Sequence, residues 1–204
     1  MLSTALDNAR VLDLNQQAVE YLRQGHADKA ERCLLQAVEM AEAIDGFEPA
    51  QLATVRNALA NLYREQQRHD AALALYLDVL SAREALFSPS HMLVGQTLQH
   101  LGNCYLDLDR FADAEQVLER AVQVYREDTP DDLGPVGACL ASLGMAHLQQ
   151  EHLAEAHRAF SEALGIYQVQ RPLDQEVIAV LEEQLRLSGS KNGFLGKVGR
   201  WKFW

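Results

Sequence analysis

The stretch QAVEYLRQGHADKAERCLLQAVEM, residues 17–40, returns three times at a fixed interval along this 204-residue chain. Its counterparts are LANLYREQQRHDAALALYLDVLSA at 59–82, LGNCYLDLDRFADAEQVLERAVQV at 101–124 and LGMAHLQQEHLAEAHRAFSEALGI at 143–166. The interval is 42 residues, and no insertion interrupts it. Self-similarity of this period predicts a repeat protein, in which each unit buries its apolar surface against its neighbours.

Five positions keep the same character in all four repeats. A ring occupies the reference position, and a small residue lies three positions before it. Alanine lies nine positions after the ring, a large apolar residue thirteen after it, and a smaller apolar residue sixteen after it. The five columns are Tyr21, Tyr63, Tyr105 and His147; Ala18, Ala60, Gly102 and Gly144; Ala30, Ala72, Ala114 and Ala156; Leu34, Tyr76, Leu118 and Phe160; and Ala37, Val79, Ala121 and Ala163.

Each repeat also contains two apolar stripes of helical spacing, separated by a short polar turn. This pattern predicts a helix-turn-helix unit whose small residues let two helices approach closely, because larger side chains there would cost about 1–3 kcal/mol per overpacked site. After the fourth repeat, LDQEVIAVLEEQLRLSG predicts one more amphipathic helix. Val177, Ile178, Leu181 and Leu185 form its apolar face, and it would cover the exposed end of the array.

The spacing of small residue, ring and alanine resembles the tetratricopeptide repeat over roughly residues 11–170. The basic unit of that family has about 34 residues, and the longer period here is similar to the kinesin-light-chain subclass. We therefore predict an all-α fold, an α-solenoid of four tetratricopeptide helix-turn-helix repeats plus a C-terminal capping helix. The predicted segments are the array at 1–170, the capping helix at 171–187 and a basic aromatic tail at 188–204.

In this family the first helix of each repeat lines a concave groove, so the resemblance implies which positions face a ligand. They form two columns, six and two residues before each ring, on the helix face away from the packed seam. In kinesin light chains an asparagine of the first column binds peptide, which carries over to Asn15 and Asn57, whereas Gln99 is a conservative change and Ala141 lacks the amide. The predicted groove residues are Asn15, Asn57, Asn61, Gln99, Asn103 and Met145.

Amides both donate and accept hydrogen bonds, so a series of them can hold an extended peptide backbone without selecting its sequence. The alternative is that these amides are solvated residues of an exposed helix face. We predict a non-catalytic protein–protein interaction scaffold that binds a peptide or partner protein in the groove.

Composition excludes several other classes of protein. The net charge is −11, and residues 1–187 alone carry −15, which argues against a nucleic-acid partner because phosphate binding needs a basic surface. The number of cysteines is odd, and none of them forms a CxxC pair, so neither a disulfide framework nor a zinc site is predicted. The three cysteines are Cys33, Cys104 and Cys139. Reduced thiols and the absence of a signal sequence or a long apolar stretch predict a cytoplasmic location.

No catalytic motif is present in the sequence. There is no glycine-rich phosphate loop and no GxSxG, so we predict that the protein is not an enzyme and uses no cofactor. His147, His152 and His157 recur every five residues, a spacing that does not place them on one helix face. The sequence therefore predicts no metal site.

The tail at 188–204 contains four basic residues, no acidic residue and both tryptophans of the chain. Four hypotheses remain open for it: a flexible extension, a ligand motif for another protein, self-docking or self-association, and weak attachment to a membrane surface. The alternative function is accordingly a peripheral membrane adaptor whose tail contacts anionic lipid while the solenoid binds cargo. The candidate tail contacts are Phe194, Lys197, Arg200, Trp201, Lys202 and Trp204.

Overall fold

The computed structural model describes residues 2–169 and 175–189, with side chains from residue 6 onward. Every regular element in these ranges is an α-helix, so the predicted all-α class is confirmed. None of the helices in these ranges combines the length and apolarity that crossing a membrane would require. They are α1 (Leu2–Arg23), α2 (Ala27–Ala43), α3 (Pro49–Glu65), α4 (His69–Leu86), α5 (Met92–Asp107), α6 (Phe111–Asp128), α7 (Gly134–Gln149), α8 (Leu153–Val169) and α9 (Gln175–Gly189).

Consecutive helices pack as hairpins, one for each predicted repeat. Helix α1 packs on α2, α3 on α4, α5 on α6 and α7 on α8. Helices α1–α4 belong to one compact unit, Met1–Ser88, and α5–α9 belong to a second, Pro89–Trp204. Within the first unit α2 also packs against α3, and within the second α6 packs against α7. Both units therefore contain neighbouring repeats stacked through their helices, which is the predicted helical-repeat solenoid class.

The alanine column and the large apolar column form the core of each hairpin. All eight residues are completely buried, so each alanine lies where a second helix comes close and each large side chain fills the adjoining space. Their burial confirms that the sequence phase marks the packed seam. They are Ala30, Ala72, Ala114 and Ala156, with Leu34, Tyr76, Leu118 and Phe160.

In the third and fourth repeats, the small residue of the first helix is a glycine beneath the large side chain of the second helix. A Cβ at Gly102 would lie 2.5 Å from Cγ of Leu118, and a Cβ at Gly144 would lie 2.6 Å from Cε1 of Phe160. These distances are about 1 Å shorter than an ordinary carbon–carbon contact. The missing side chain of each glycine therefore makes room for its large neighbour.

The turn inside each hairpin has the same backbone geometry in all four repeats. The residue four positions after the ring has a positive φ: 76° at Gly25, 62° at Gln67, 57° at Asp109 and 61° at Glu151. The N–H of the following residue donates to the carbonyl oxygen of the ring residue at 2.8–2.9 Å. These are the features of a Schellman motif, in which a left-handed residue ends the helix. The motif folds the fifth residue after the ring back toward the ring.

The last predicted helix is present as α9, which packs on α8. On α9, the side chain of Leu181 is completely buried, and so is the polar side chain of Gln184. The other predicted apolar positions, Val177, Ile178 and Leu185, are half-buried. A helix thus covers α8, as expected for the end of a repeat array.

Candidate peptide-binding site

The predicted groove residues of the first unit lie on α1 and α3 at different depths. Asn15 is half-buried, and its Oδ1 has no hydrogen-bond partner among the described residues. Asn57 is only 7% exposed. Asn61, one turn later on α3, is half-buried and accepts a hydrogen bond from Oη of Tyr76 at 2.6 Å. Because Tyr76 is completely buried on α4, this bond fixes the carbonyl end of the Asn61 amide.

The predicted residues of the second unit lie on α5 and α7. Gln99 is half-buried, and its Oε1 accepts a hydrogen bond from Oη of Tyr125 on α6 at 3.1 Å. Asn103 is 5% exposed, and its Oδ1 accepts a hydrogen bond from Oγ of Ser142 on α7 at 2.8 Å. Its Nδ2 is buried and has no partner in the part of the chain that the structure describes. Met145 is half-buried.

These columns are more enclosed than the sequence predicted. Asn57 and Asn103 are nearly buried rather than open to solvent, and Asn103 is in contact with the first helix of the next repeat through Ser142. The hydrogen bonds by which Tyr76 and Tyr125 hold the Asn61 and Gln99 amides in place were not predicted from the sequence. The available signal was Tyr76, since it is the one member of the large apolar column with a hydroxyl group.

The structure brings His147 and His152 together although, as their spacing predicts, they do not share a helix face. Their ring centroids lie 6.1 Å apart. Helix α7 ends between them and the Schellman turn folds His152 back, so helical spacing does not apply. Glu115 on α6 approaches the same place, with its Oε2 3.6 Å from Nδ1 of His147. His157 lies apart from this cluster, 3.3 Å from Oγ of Ser188.

The equivalent turn of the second repeat holds an ion pair instead. The guanidinium of Arg68 lies 3.8 Å from the centroid of the Tyr63 ring, and its Nη1 donates to Oε1 of Glu31 at 2.6 Å. Gln66 donates from Nε2 to Oε2 of the same carboxylate at 3.0 Å. The hydrogen bond from Arg68 is the main cause that lowers the pKa of Glu31. This carboxylate is therefore ionised and firmly oriented at neutral pH.

The predicted tail contacts all fall beyond α9. Their role stays a prediction, because they lie outside the described residues. They are Phe194, Lys197, Arg200, Trp201, Lys202 and Trp204.

Solved structures similar to this chain are helical-repeat proteins. BtubC (BKLC) from P. vanneervenii aligns over 92% of this chain and 75% of its own, with a TM-score of 0.80 and 20% identity. The apo form of RapI aligns over 92% of this chain and 50% of its own, with a TM-score of 0.79 and 16% identity. The kinesin-light-chain TPR-like repeats of a Podosopora anserina protein align over 89% and 86%, with a TM-score of 0.72 and 17% identity. At these identities the likeness shows the fold alone.

Sequence comparison identifies the family. No curated protein matches the chain by sequence. Models of the tetratricopeptide repeat, in contrast, match residues 14–44, 51–127 and 136–169, which together make up more than half of the chain. These segments coincide with the four helix hairpins and with the ring and alanine columns within them. The chain therefore belongs to the tetratricopeptide repeat family.

Proposed function

We propose that this protein is a non-catalytic interaction scaffold whose first helices bind an extended peptide segment of a partner protein. The tetratricopeptide repeat fold supports the general role of a protein–protein interaction scaffold. The observation that supports peptide binding is the pair of tyrosine-held amides. In the second and third repeats a half-buried amide, Asn61 or Gln99, accepts a hydrogen bond from a tyrosine of the same repeat.

A fixed amide is a better peptide ligand than a mobile one. Ordering a long polar side chain on binding costs about 0.5–1.5 kcal/mol, and a side chain that is already held avoids part of that cost. The tyrosine bond uses the carbonyl end of each amide, so the amino end can donate to a peptide carbonyl group. Such contacts recognise the peptide backbone and leave the choice of side chains to neighbouring residues.

Burial divides the predicted groove residues into two groups. Asn57 and Asn103 are nearly buried, and we assign them the role of positioning the first helices. The half-buried residues are the ones that a peptide reaches without displacing a helix. We therefore assign direct contact with the peptide to Asn15, Asn61, Gln99 and Met145.

The test is a selection of random peptides displayed on phage against the full-length chain, followed by affinity measurements on the selected peptides. Asn61→Ala tests the first unit, and Gln99→Ala tests the second. Loss of one backbone hydrogen bond is worth about 1 kcal/mol, so we expect about fivefold weaker binding for each unit that contacts the peptide.

The controls remove an amide from an exposed position on a second helix of the same unit. Gln36→Ala on α2 and Gln116→Ala on α6 should leave peptide affinity unchanged, because both side chains are exposed away from the tyrosine bonds. Selected peptides that bind both groove variants as tightly as the wild type would refute the assignment.

For the tail, we propose a second interaction element, and the membrane-adaptor hypothesis is its main alternative. Four basic residues would contribute about 1 kcal/mol each at an anionic surface, which is enough for weak, peripheral contact only. Co-sedimentation with phosphatidylserine vesicles separates the two hypotheses when the full chain is compared with residues 1–189, a truncation that keeps α9 intact. Equal sedimentation of both chains would exclude the membrane role of the tail.

A further inference from the structure

Three side chains with metal-ligating atoms converge where the third repeat meets the fourth. Glu115 lies on α6, His147 on α7 and His152 in the turn before α8, and one ligand atom from each lies within 4.8 Å of the other two. We propose that this glutamate–histidine cluster, formed by these three residues, binds a divalent transition-metal ion, with Zn²⁺ as the best match to its ligands.

An unpartnered buried nitrogen supports this assignment independently of the clustering. His147 is 7% exposed, and its Nδ1 is buried with no hydrogen-bond partner among the described residues. The nearest acceptor is Oε2 of Glu115, and the 3.6 Å between them is too long for a hydrogen bond. A buried polar atom left without a partner is costly, and coordination of a metal ion by its lone pair would remove that cost.

The distances fit a tetrahedral ion. Zinc–nitrogen and zinc–oxygen bonds of about 2.0–2.2 Å place neighbouring ligand atoms about 3.4 Å apart in a tetrahedron. The separation between Glu115 and His147 is already within a few tenths of an ångström of that value. His152 is exposed in the turn, so its side chain can move inward to complete the set. Three protein ligands leave the fourth position for water or another exogenous ligand.

The carboxylate of the cluster is held in place by a neighbouring side chain. Gln150 donates from Nε2 to Oε2 of Glu115 at 2.7 Å and to the carbonyl oxygen of Ala146 at 3.2 Å. Hydrogen bonds of this kind orient a carboxylate ligand and raise metal affinity. Two of the three ligands, Glu115 and His147, are thus fixed by packing or hydrogen bonding before any ion arrives.

The junction of the first two repeats provides a natural comparison 84 residues earlier. Glu31 and Gln66 correspond to Glu115 and Gln150, and the bond from glutamine to glutamate occurs at both junctions. The two differences are the ring residue and the fifth residue after it. Tyr63 and Arg68 occupy these positions at the first junction, and His147 and His152 occupy them at the later one.

These two residue differences give the two junctions different chemistry, although their glutamate and glutamine are the same. Arginine remains protonated and offers no lone pair, so the first junction forms an ion pair stacked on tyrosine. Neutral imidazoles offer a lone pair each, so the later junction presents two nitrogens and a carboxylate. A metal-free interpretation also exists, in which a protonated His147 forms an ion pair with Glu115.

The experiment is a Zn²⁺ titration of the full 204-residue chain, free of metal and without a histidine tag, in competition with a chromophoric chelator. We expect one Zn²⁺ per chain. The double variant His147→Tyr/His152→Arg recreates the residues of the first junction, and we expect it to bind Zn²⁺ at least about 100-fold more weakly. The control variant His157→Gln removes a histidine outside the cluster and should bind as the wild type does.

Two further measurements keep the result interpretable. Circular dichroism reports whether the double variant is folded. If it is not folded, the single variant His152→Arg replaces it in the titration, because that variant changes only an exposed turn residue. Imidazole nitrogen NMR then locates the ion, since Zn²⁺ should shift the signals of His147 and His152 among the seven histidines. No stoichiometric binding, equal binding by wild type and variants, or shifts confined to other histidines would each overturn the proposal and favour the metal-free ion pair.

Discussion

Replacement of Gly144 by alanine tests how the hairpins are packed. A Cβ at this position on α7 would lie 2.6 Å from Cε1, 2.7 Å from Cδ1 and 2.9 Å from Cζ of Phe160. Carbon atoms in contact are normally about 3.5–4.0 Å apart. The Phe160 ring is completely buried, so it cannot turn into solvent to relieve the overlap. The two helices would have to separate, or the ring would have to leave its preferred rotamer.

The expected magnitude follows from two opposing effects. Overpacking of this kind costs about 1–3 kcal/mol. Replacing a glycine inside a helix by alanine stabilises by about 0.5–1 kcal/mol. Because three ring atoms lie within 3 Å of the added carbon, we expect the cost of overpacking to exceed the gain in helix stability. The net result is a decrease of about 1–2 kcal/mol in the free energy of unfolding.

Gly165 provides the matched control. It lies on α8, in the same compact unit, and a Cβ there would meet no atom within 4 Å. Gly165→Ala should therefore show the helix effect alone and stabilise the unit by about 0.5–1 kcal/mol. The two variants carry the same chemical change, so they should shift the unfolding transition in opposite directions.

The assay is urea unfolding of the full-length variants followed by circular dichroism. Adding Phe160→Leu to Gly144→Ala recreates the pairing of Ala18 with Leu34 in the first repeat, where both side chains are buried. The double-mutant cycle should then show a favourable coupling of about 1 kcal/mol. Equal stabilisation by the two glycine replacements, or strict additivity in the cycle, would refute the packing argument.

Three further predictions concern the turns and the thiols. The pKa of Glu31 is lowered in the folded protein, so its ion pair with Arg68 stabilises the fold at pH values above the ordinary pKa of 4.5. This stabilisation is lost as the pH falls through the lowered pKa of the folded state. In urea unfolding, the stability deficit of Arg68→Ala should therefore shrink below pH 4.5. Burial raises the pKa of Cys139, so a thiol reagent should label the half-buried Cys33 in the native protein and Cys139 only after unfolding, as mapped by mass spectrometry. Gln67→Gly should raise stability by roughly 0.5–1 kcal/mol in urea unfolding, because a left-handed conformation is costly for any residue other than glycine.

The packed core of the hairpins could be predicted from the sequence because it depends on a phase that four repeats share. Ala72 and Tyr76 are buried for the same reason as their counterparts, and one period locates them all. The environment of the amides could not be predicted in this way. Ser142 reaches Asn103 from the next repeat, and Tyr125 lies outside the aligned columns, so both contacts depend on three-dimensional packing.

The histidine pair shows a second limit of periodic reasoning. Helical spacing predicts only that His147 and His152 do not share a helix face, and it cannot predict their distance because the helix ends between them. Only the position of the turn reveals their contact. Gly25 in the first repeat was the available signal, since a glycine four residues after the ring is typical of the left-handed residue of a Schellman motif.

The recurring left-handed turn restricts how the length of this chain can change. In each hairpin a backbone N–H must reach the carbonyl oxygen of the ring residue across a fixed number of bonds. One extra residue in the turn would break that bond and would rotate the second helix by about 100°, which would direct its alanine away from the seam. The residue type at the turn differs among the four repeats, namely Gly25, Gln67, Asp109 and Glu151, whereas the length of the turn is the same in all of them. We therefore expect a one-residue insertion to be tolerated in the linkers between hairpins but not in these turns.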